Sequence, residues 1–245
     1  MHTKQFFDLS GLILGERYVL TDKLGQGSWG TVYRARDRLT KFKKEYAVKC
    51  IWKESLTREG QKLLFREVSL HRVVSGISPH VLPLHCVLEN SAFLFLVLDI
   101  CSRGDMGAAL HHNTFPSHDE AIRDIFLQIL DGIEACHREG VYHRDIKPEN
   151  VLFYEDGNAC IADFGLATDE ETSTEFAGTN EYLSPGESCY HLVIIGHSHT
   201  SGIRINPGHF QTSGLLSTAF RYMGTWNRAH QHGDWRTSMV NSISQ

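Results

Sequence analysis

Three glycines, Gly25, Gly27 and Gly30, fall inside Leu24-Gly25-Gln26-Gly27-Ser28-Trp29-Gly30-Thr31-Val32, between two apolar runs. Glycine lets the backbone take positive φ and lie close to phosphate oxygens, so that successive N–H groups can cover an anion. A plain hairpin turn or a dinucleotide site would give the same spacing. What comes next discriminates between them. A dinucleotide fold needs a helix directly after the glycines, whereas here a second strand-like run follows, and then Ala47-Val48-Lys49 in a third. A lysine in an apolar strand costs free energy unless an acid and a ligand anion pair with it, although an edge lysine can also snorkel to water. The candidate partner is Glu67 in Phe65-Arg66-Glu67-Val68, which taken alone reads as a solvated helix face. Further along, Tyr142-His143-Arg144-Asp145-Ile146-Lys147-Pro148-Glu149-Asn150 and Ala162-Asp163-Phe164-Gly165 gather carboxylates, a lysine and an amide into two short stretches, with Asp145 and Asp163 eighteen residues apart.

The elements that must position these residues follow from hydrophobic periodicity. Alternating apolar runs predict three consecutive antiparallel strands at Tyr18 to Leu24, Thr31 to Arg36 and Tyr46 to Ile51. In Arg58 to Val74, Leu63, Leu64, Val68 and Leu70 fall near helical spacing, and Ser75-Gly76 closes the segment. Two β-branched or aromatic runs, Val81 to Leu88 and Phe93 to Asp99, flank the turn-like Glu89-Asn90-Ser91 and complete a five-stranded sheet with one helix. Beyond Arg103 the pattern becomes helical, most clearly over His118 to Arg138, where Ile122, Ile125, Phe126, Ile129, Leu130 and Ile133 share one face. After Pro185 neither period persists.

The chain has 245 residues and a formal charge of -5, from 24 basic and 29 acidic side chains, enough length for one large domain or two small ones. A mildly acidic balance without long runs of one sign argues against nucleic acid as a partner. The most apolar stretch, Ala92 to Leu98, is far too short to span a bilayer, which argues against a membrane partner. The six cysteines include no C-x-x-C pair, as expected of reduced thiols in a cytoplasmic or nuclear protein.

The glycine loop, the strand lysine, the helical glutamate and the two stretches around Asp145 and Asp163, in this order and spacing, resemble the eukaryotic protein kinases from about Tyr18 to Pro185. Lys147, two residues after Asp145, and Gly178-Thr179 before Tyr182 resemble the Ser/Thr branch. Gly104-Asp105-Met106 and Ile161 to Thr168 are similar to a fungal subgroup. The resemblance implies an α+β bilobal fold: a five-stranded antiparallel N-lobe with helix C over 18–101, and an incomplete, mainly helical C-lobe over 102–185. A lead-in of residues 1–17 is expected before them, and a poorly ordered tail, 186–245, is expected after. It also implies ATP and Mg2+ as cofactors and protein Ser/Thr hydroxyls as substrates, since phosphoryl transfer is chiefly positioning and charge stabilisation. Asp145 would accept the proton of the substrate hydroxyl, and Lys147 would neutralise charge on the moving phosphoryl group. Asn150 and Asp163 would be the oxygen ligands of magnesium. Lys49, held by Glu67, would grip the α/β-phosphates beneath the flap of Gly25, Gly27, Ser28 and Gly30. Adenine would lie between Leu24, Val32 and Ala47 on one side and Leu152 on the other, its edge bonded to the backbone at Asp99 and Cys101. Leu98 then takes the gatekeeper position, and Asp105 and the Glu149 backbone approach the ribose.

The activation segment resembles the family as far as Tyr182-Leu183-Ser184-Pro185, with Arg144 as the residue that would bind its phosphate and Glu175, four residues before Thr179, at the site the family often phosphorylates. Gly186 then stands where the family has a glutamate, and the next family helix is missing, which implies a chain truncated inside its second lobe. Gly186-Glu187-Ser188 is encodable as G followed by GTGAGT, the usual start of an intron. Arg221 to Asn227, read one nucleotide later, is encodable as Asp-Ile-Trp-Ala-Leu-Gly, the motif of the missing helix. The tail therefore reads as a retained intron followed by out-of-frame kinase sequence, never selected for folding. The alternative function is a non-catalytic ATP-binding or scaffold fragment.

Overall fold

The computed structural model of the chain describes residues 8–27, 30–41, 44–116 and 118–170. They form two compact units: the described residues up to Phe65 together with Leu82–Ser102, and Arg66–Val81 together with the described residues from Arg103 onward. Among the described residues no helix is long and apolar enough to cross a membrane.

In the first unit the strands β1 (Ile13–Leu14), β2 (Tyr18–Gln26), β3 (Thr31–Asp37), β4 (Glu45–Trp52), β5 (Leu84–Glu89) and β6 (Phe93–Asp99) form one antiparallel sheet in the order β1-β2-β3-β4-β6-β5. Strand alternation sorts its side chains. Tyr18, Leu20, Tyr33, Ala35, Tyr46, Val48, Cys50, Phe93, Phe95 and Val97 build the core on one face. Register places Val32 opposite Lys49, Lys49 opposite Leu96, and Ala47 opposite Leu98, so these residues share the other face.

The sheet has six strands where five were expected, because part of the expected lead-in pairs with it. Ile13 faces Val19, and Leu14 faces Tyr18. The Gly11 N–H donates to the Leu20 carbonyl at 2.8 Å, the Leu20 N–H donates to that of Leu12 at 2.9 Å, and Leu9 and Leu12 pack on the core. The run expected from Val81 starts as a strand only at Leu84. Pro83 has no N–H for a ladder, and its carbonyl accepts from the Asp99 N–H at 3.2 Å.

Helix α1 (Arg58–Val74) runs from the first unit into the second, where α2 (Met106–His111), α3 (Asp119–Arg138) and the hairpin β7 (Val151–Phe153) and β8 (Ala159–Ile161) follow. The apolar face of α3 is buried as its period requires: Phe126, Ile129, Leu130 and Ile133 are each at most 1% exposed. They pack with Leu70, Val74, Met106, Val151, Phe153, Ile161 and Phe164 in a second core. Gly132 lets α3 close on the preceding loop, since a Cβ there would lie 2.5 Å from the His80 carbonyl oxygen. The Ile161 N–H bonds that same carbonyl at 2.9 Å, which ties β8 to the loop.

Candidate active site

The glycine turn leaves β2 and returns into β3, with Gly25 opposite Val32 and the Gly27 N–H bonded to the Gly30 carbonyl at 2.9 Å. A Cβ on Gly30 would collide with the Cys50 carbonyl oxygen of β4, so only glycine permits this approach. Lys49, Ala47 and Val32 are each half-buried on the sheet face away from the core, and Leu98 on that face is 9% exposed. Leu24 is more open, at 43%. Asp99 ends β6, and Cys101, half-buried, lies two residues on. The first unit thus puts Val32, Ala47, Lys49 and Leu98 on one sheet face, with the glycine turn at the end where β2 returns into β3.

In the second unit, the loop after α3 carries Asp145, 9% exposed. Its Oδ2 accepts from Lys147 Nζ at 2.8 Å and from Asn150 Nδ2 at 3.0 Å. Asn150 Nδ2 also donates to the Asp145 carbonyl at 2.8 Å, and the 3-10 turn Pro148–Asn150 holds it in place. Because Nδ2 faces Asp145, Asn150 offers its amide oxygen as a ligand atom.

Asp163, exposed, follows β8 directly. The chain on either side of it is clamped to the loop. The Ala162 N–H donates to the Asn150 carbonyl at 2.8 Å, and the Ala162 carbonyl lies 2.9 Å from His143 Nε2. The Thr168 N–H donates to the Tyr142 carbonyl at 2.9 Å, and Tyr142 returns the bond at 2.8 Å. Phe164, wholly buried, stacks on His71 of α1 with centroids 4.7 Å apart. Glu67, 6% exposed, approaches the same segment: a Cβ on Gly165 would stand 3.3 Å from Asp163 Oδ1 and 3.6 Å from Glu67 Oε2. Arg144 and Asp163 both sit at φ 62°, a left-handed conformation that costs about 1–2 kcal/mol per non-glycine residue and persists where the surroundings enforce it.

Asp105 caps α2, its Oδ1 accepting from the Ala108 N–H at 2.7 Å, and it bridges to Leu152. Glu149 meets the same spot: a Cβ on Gly107 would lie 3.1 Å from Asp105 Oδ1 and 3.2 Å from Glu149 Cγ. Arg144 Nε donates to the Leu166 carbonyl at 2.8 Å. Ser28, Glu175 and Thr179 lie outside the described residues, as does everything from residue 171 on.

Two supporting residues were not singled out from the sequence. His143 accepts from the Asp145 N–H at Nδ1, 3.3 Å away, and so donates from Nε2 to Ala162; burial pushes its pKa down. Its place beside Arg144-Asp145 was the available signal. Arg66 bonds the Thr168 hydroxyl and lies 4.0 Å from the Asp169 carboxylate, a pairing across the sequence that no local pattern announces. Burial pushes the Cys50 and Cys136 thiols up to about 12, so neither is a nucleophile near neutrality.

Residues 18–188 match the family model for the protein kinase domain. A negative regulator of sexual conjugation and meiosis from Schizosaccharomyces pombe is 38% identical over 72% of this chain and 38% of its own length. The serine/threonine-protein kinase ksp1 of the same yeast is 36% identical over 71% of this chain and 38% of its own. CBL-interacting protein kinase 5 of Oryza sativa is 33% identical over the same shares, 71% and 38%. The chain thus spans well under half the length of these relatives, and the segment that matches the family model carries every motif just described. Over residues 18–188, this chain belongs to the protein kinase domain family.

Proposed function

We propose that the chain is an ATP-dependent protein serine/threonine kinase domain with magnesium as its divalent cation. The observation that carries this reading is the Asp145 carboxylate, held through Oδ2 by Lys147 at 2.8 Å and Asn150 at 3.0 Å. Two donors on one oxygen fix the rotamer of a carboxylate that would accept the proton of a substrate Ser or Thr hydroxyl. That hydroxyl oxygen forms its bond to the γ-phosphorus as the bond from phosphorus to the β,γ-bridging oxygen breaks and ADP leaves. The Lys147 ammonium, already beside Asp145, neutralises charge on the phosphoryl oxygens in transit.

The donor chemistry fits a hard cation. Asn150 offers an amide oxygen and Asp163 a carboxylate, and no group of three or more His, Cys, Asp or Glu among the described residues could hold a metal ion by itself. Two protein oxygens completed by phosphate oxygens and water suit magnesium. When bound, the cation would neutralise charge on the ATP phosphates. In the first unit the flap glycines and Lys49 would serve those phosphates. The Asp99 N–H is spent on Pro83, so the Asp99 carbonyl is the backbone group that would accept from the adenine amino group. That the yeast and rice relatives are protein kinases supports protein substrates.

A second reading, a nucleotide-binding fragment without turnover, is favoured by one observation: the family match ends at residue 188 of 245. Incubation with magnesium-ATP and a Ser/Thr peptide library, with phosphate transfer as the readout, separates the two. Transfer lost in Asp145→Asn supports the kinase. Nucleotide binding without transfer supports the second reading, and a folded chain that binds no nucleotide contradicts both.

A further inference from the structure

The end of β6 carries a cluster that the phosphoryl chemistry does not use. Strand β5 pairs with β6 at Leu84↔Leu98 and next at Cys86↔Val97, so His85 is one residue too many for the ladder. A bulge of this kind re-aims a side chain. His85 Nε2 lies 2.7 Å from Asp99 Oδ1, and Lys44 Nζ lies 3.6 Å from the same oxygen. Both also rest on Tyr46: the His85 ring meets it edge to face at 5.0 Å, and Lys44 stands over it at 5.0 Å. Tyr46 is 5% exposed and packs against Tyr18, so this platform is rooted in the core of the first unit. Asp99 faces Tyr46 across the ladder, on the sheet face opposite that of Ala47, Lys49 and Leu98. Its backbone N–H is held by Pro83. The hydrogen bond from His85 keeps the Asp99 carboxyl below the usual carboxylate range.

We propose that His85, re-aimed by the β5 bulge and assisted by Lys44, is a positioning residue for base recognition: it clamps Asp99 from behind the sheet and so fixes the direction of the Asp99 carbonyl toward the adenine amino group. The inference rests on the nucleotide reading above and extends it to a residue on the far face. The His85 and Asp99 side chains are 31% and 25% exposed, and partly exposed ion pairs add little to stability. The clamp therefore acts on direction, and base selectivity reports it more directly than a melting temperature does.

The test measures binding of magnesium-ADP and of magnesium purine riboside diphosphate, which lacks the amino group, to the 245-residue chain and its His85→Ala and His85→Gln variants. The unmutated chain should prefer ADP by about tenfold, the worth of one well-aligned hydrogen bond. His85→Ala should bring that ratio close to one while the analogue binds as before, and His85→Gln, whose amide still donates to Asp99, should restore most of it. A preference that survives in His85→Ala, or equal weakening of both ligands, would overturn the clamp and leave the nucleotide reading intact. So would an unmutated chain that binds both ligands equally. An unmutated chain that binds neither overturns the nucleotide reading and the clamp together.

Discussion

His143 joins the two stretches that the sequence displays separately, and it does so as a neutral ring. Its Nδ1 accepts from the Asp145 N–H and its Nε2 donates to Ala162, so each nitrogen has a fixed part. Burial is the largest cause lowering its pKa, against weaker opposing contributions from Ala162, Asp145 and Asp163. The unfolded chain therefore takes up a proton that the folded chain refuses. This contribution to stability is intact above the ordinary imidazole value of about 6.5 and is lost as pH falls below it. The melting temperature should drop between neutral pH and mildly acidic pH, and His143→Leu should show a smaller drop; an unchanged drop would locate the effect elsewhere. Carboxylates such as Asp99 lose stability on the same side but at lower pH, because their pKa values start lower and are depressed further. Asp145→Asn belongs to the same scale. It should reduce phosphate transfer by about a hundredfold or more, the usual worth of a general base, while nucleotide-dependent stabilisation persists. Loss of nucleotide binding in that variant would show that Asp145 serves binding instead.

At the scale of elements, Gly132 makes the sharpest case. A glycine inside α3 costs about 1 kcal/mol of helix propensity relative to alanine, so propensity alone favours Gly132→Ala. The His80 carbonyl oxygen 2.5 Å from the new Cβ argues the reverse, because it is backbone and is also bonded to β8. The substitution should lower stability in denaturant titration; a stabilised variant would mean that the 78–81 loop moves aside freely. Ile133→Ala, at 1% exposure in the same core, should cost about 2–5 kcal/mol. These contrasts show what a sequence discloses. Helix α3 was legible because six apolar residues recur at its period, and β3 and β4 because they alternate. Strand β1 was not, being two residues long between Gly11 and Gly15, too short for any period. Nor was the bulge at His85, since alternation in β5 breaks only through its pairing with β6. Among the candidate site residues, motif spacing exposed Asp145, Lys147, Asn150 and Asp163, whereas the contacts that brace their segments, Ala162 to His143 and Arg66 to Thr168, join separate stretches of the sequence.

For the whole molecule, family membership extends from Tyr18 to residue 188. If residues 186–245 are displaced in reading frame, a chain re-encoded after Pro185 so that the Arg221–Asn227 region reads Asp-Ile-Trp-Ala-Leu-Gly should transfer phosphate at least about a hundredfold faster, the scale of loss that a small misplacement of catalytic groups produces. Equal rates would show that the tail does not limit turnover. The central claim is that the glycine flap, Lys49 and the Asp145–Asp163 machinery make this chain a nucleotide-using kinase domain. Calorimetric titration of the folded 245-residue chain with magnesium-ADP, beside its Lys49→Met variant, tests that claim most directly. Binding should be saturable, and Lys49→Met should weaken it by about tenfold or more, the loss of a charge-assisted contact to phosphate. A folded chain that gives no binding heat with magnesium-ADP and no nucleotide-dependent rise in melting temperature would contradict it.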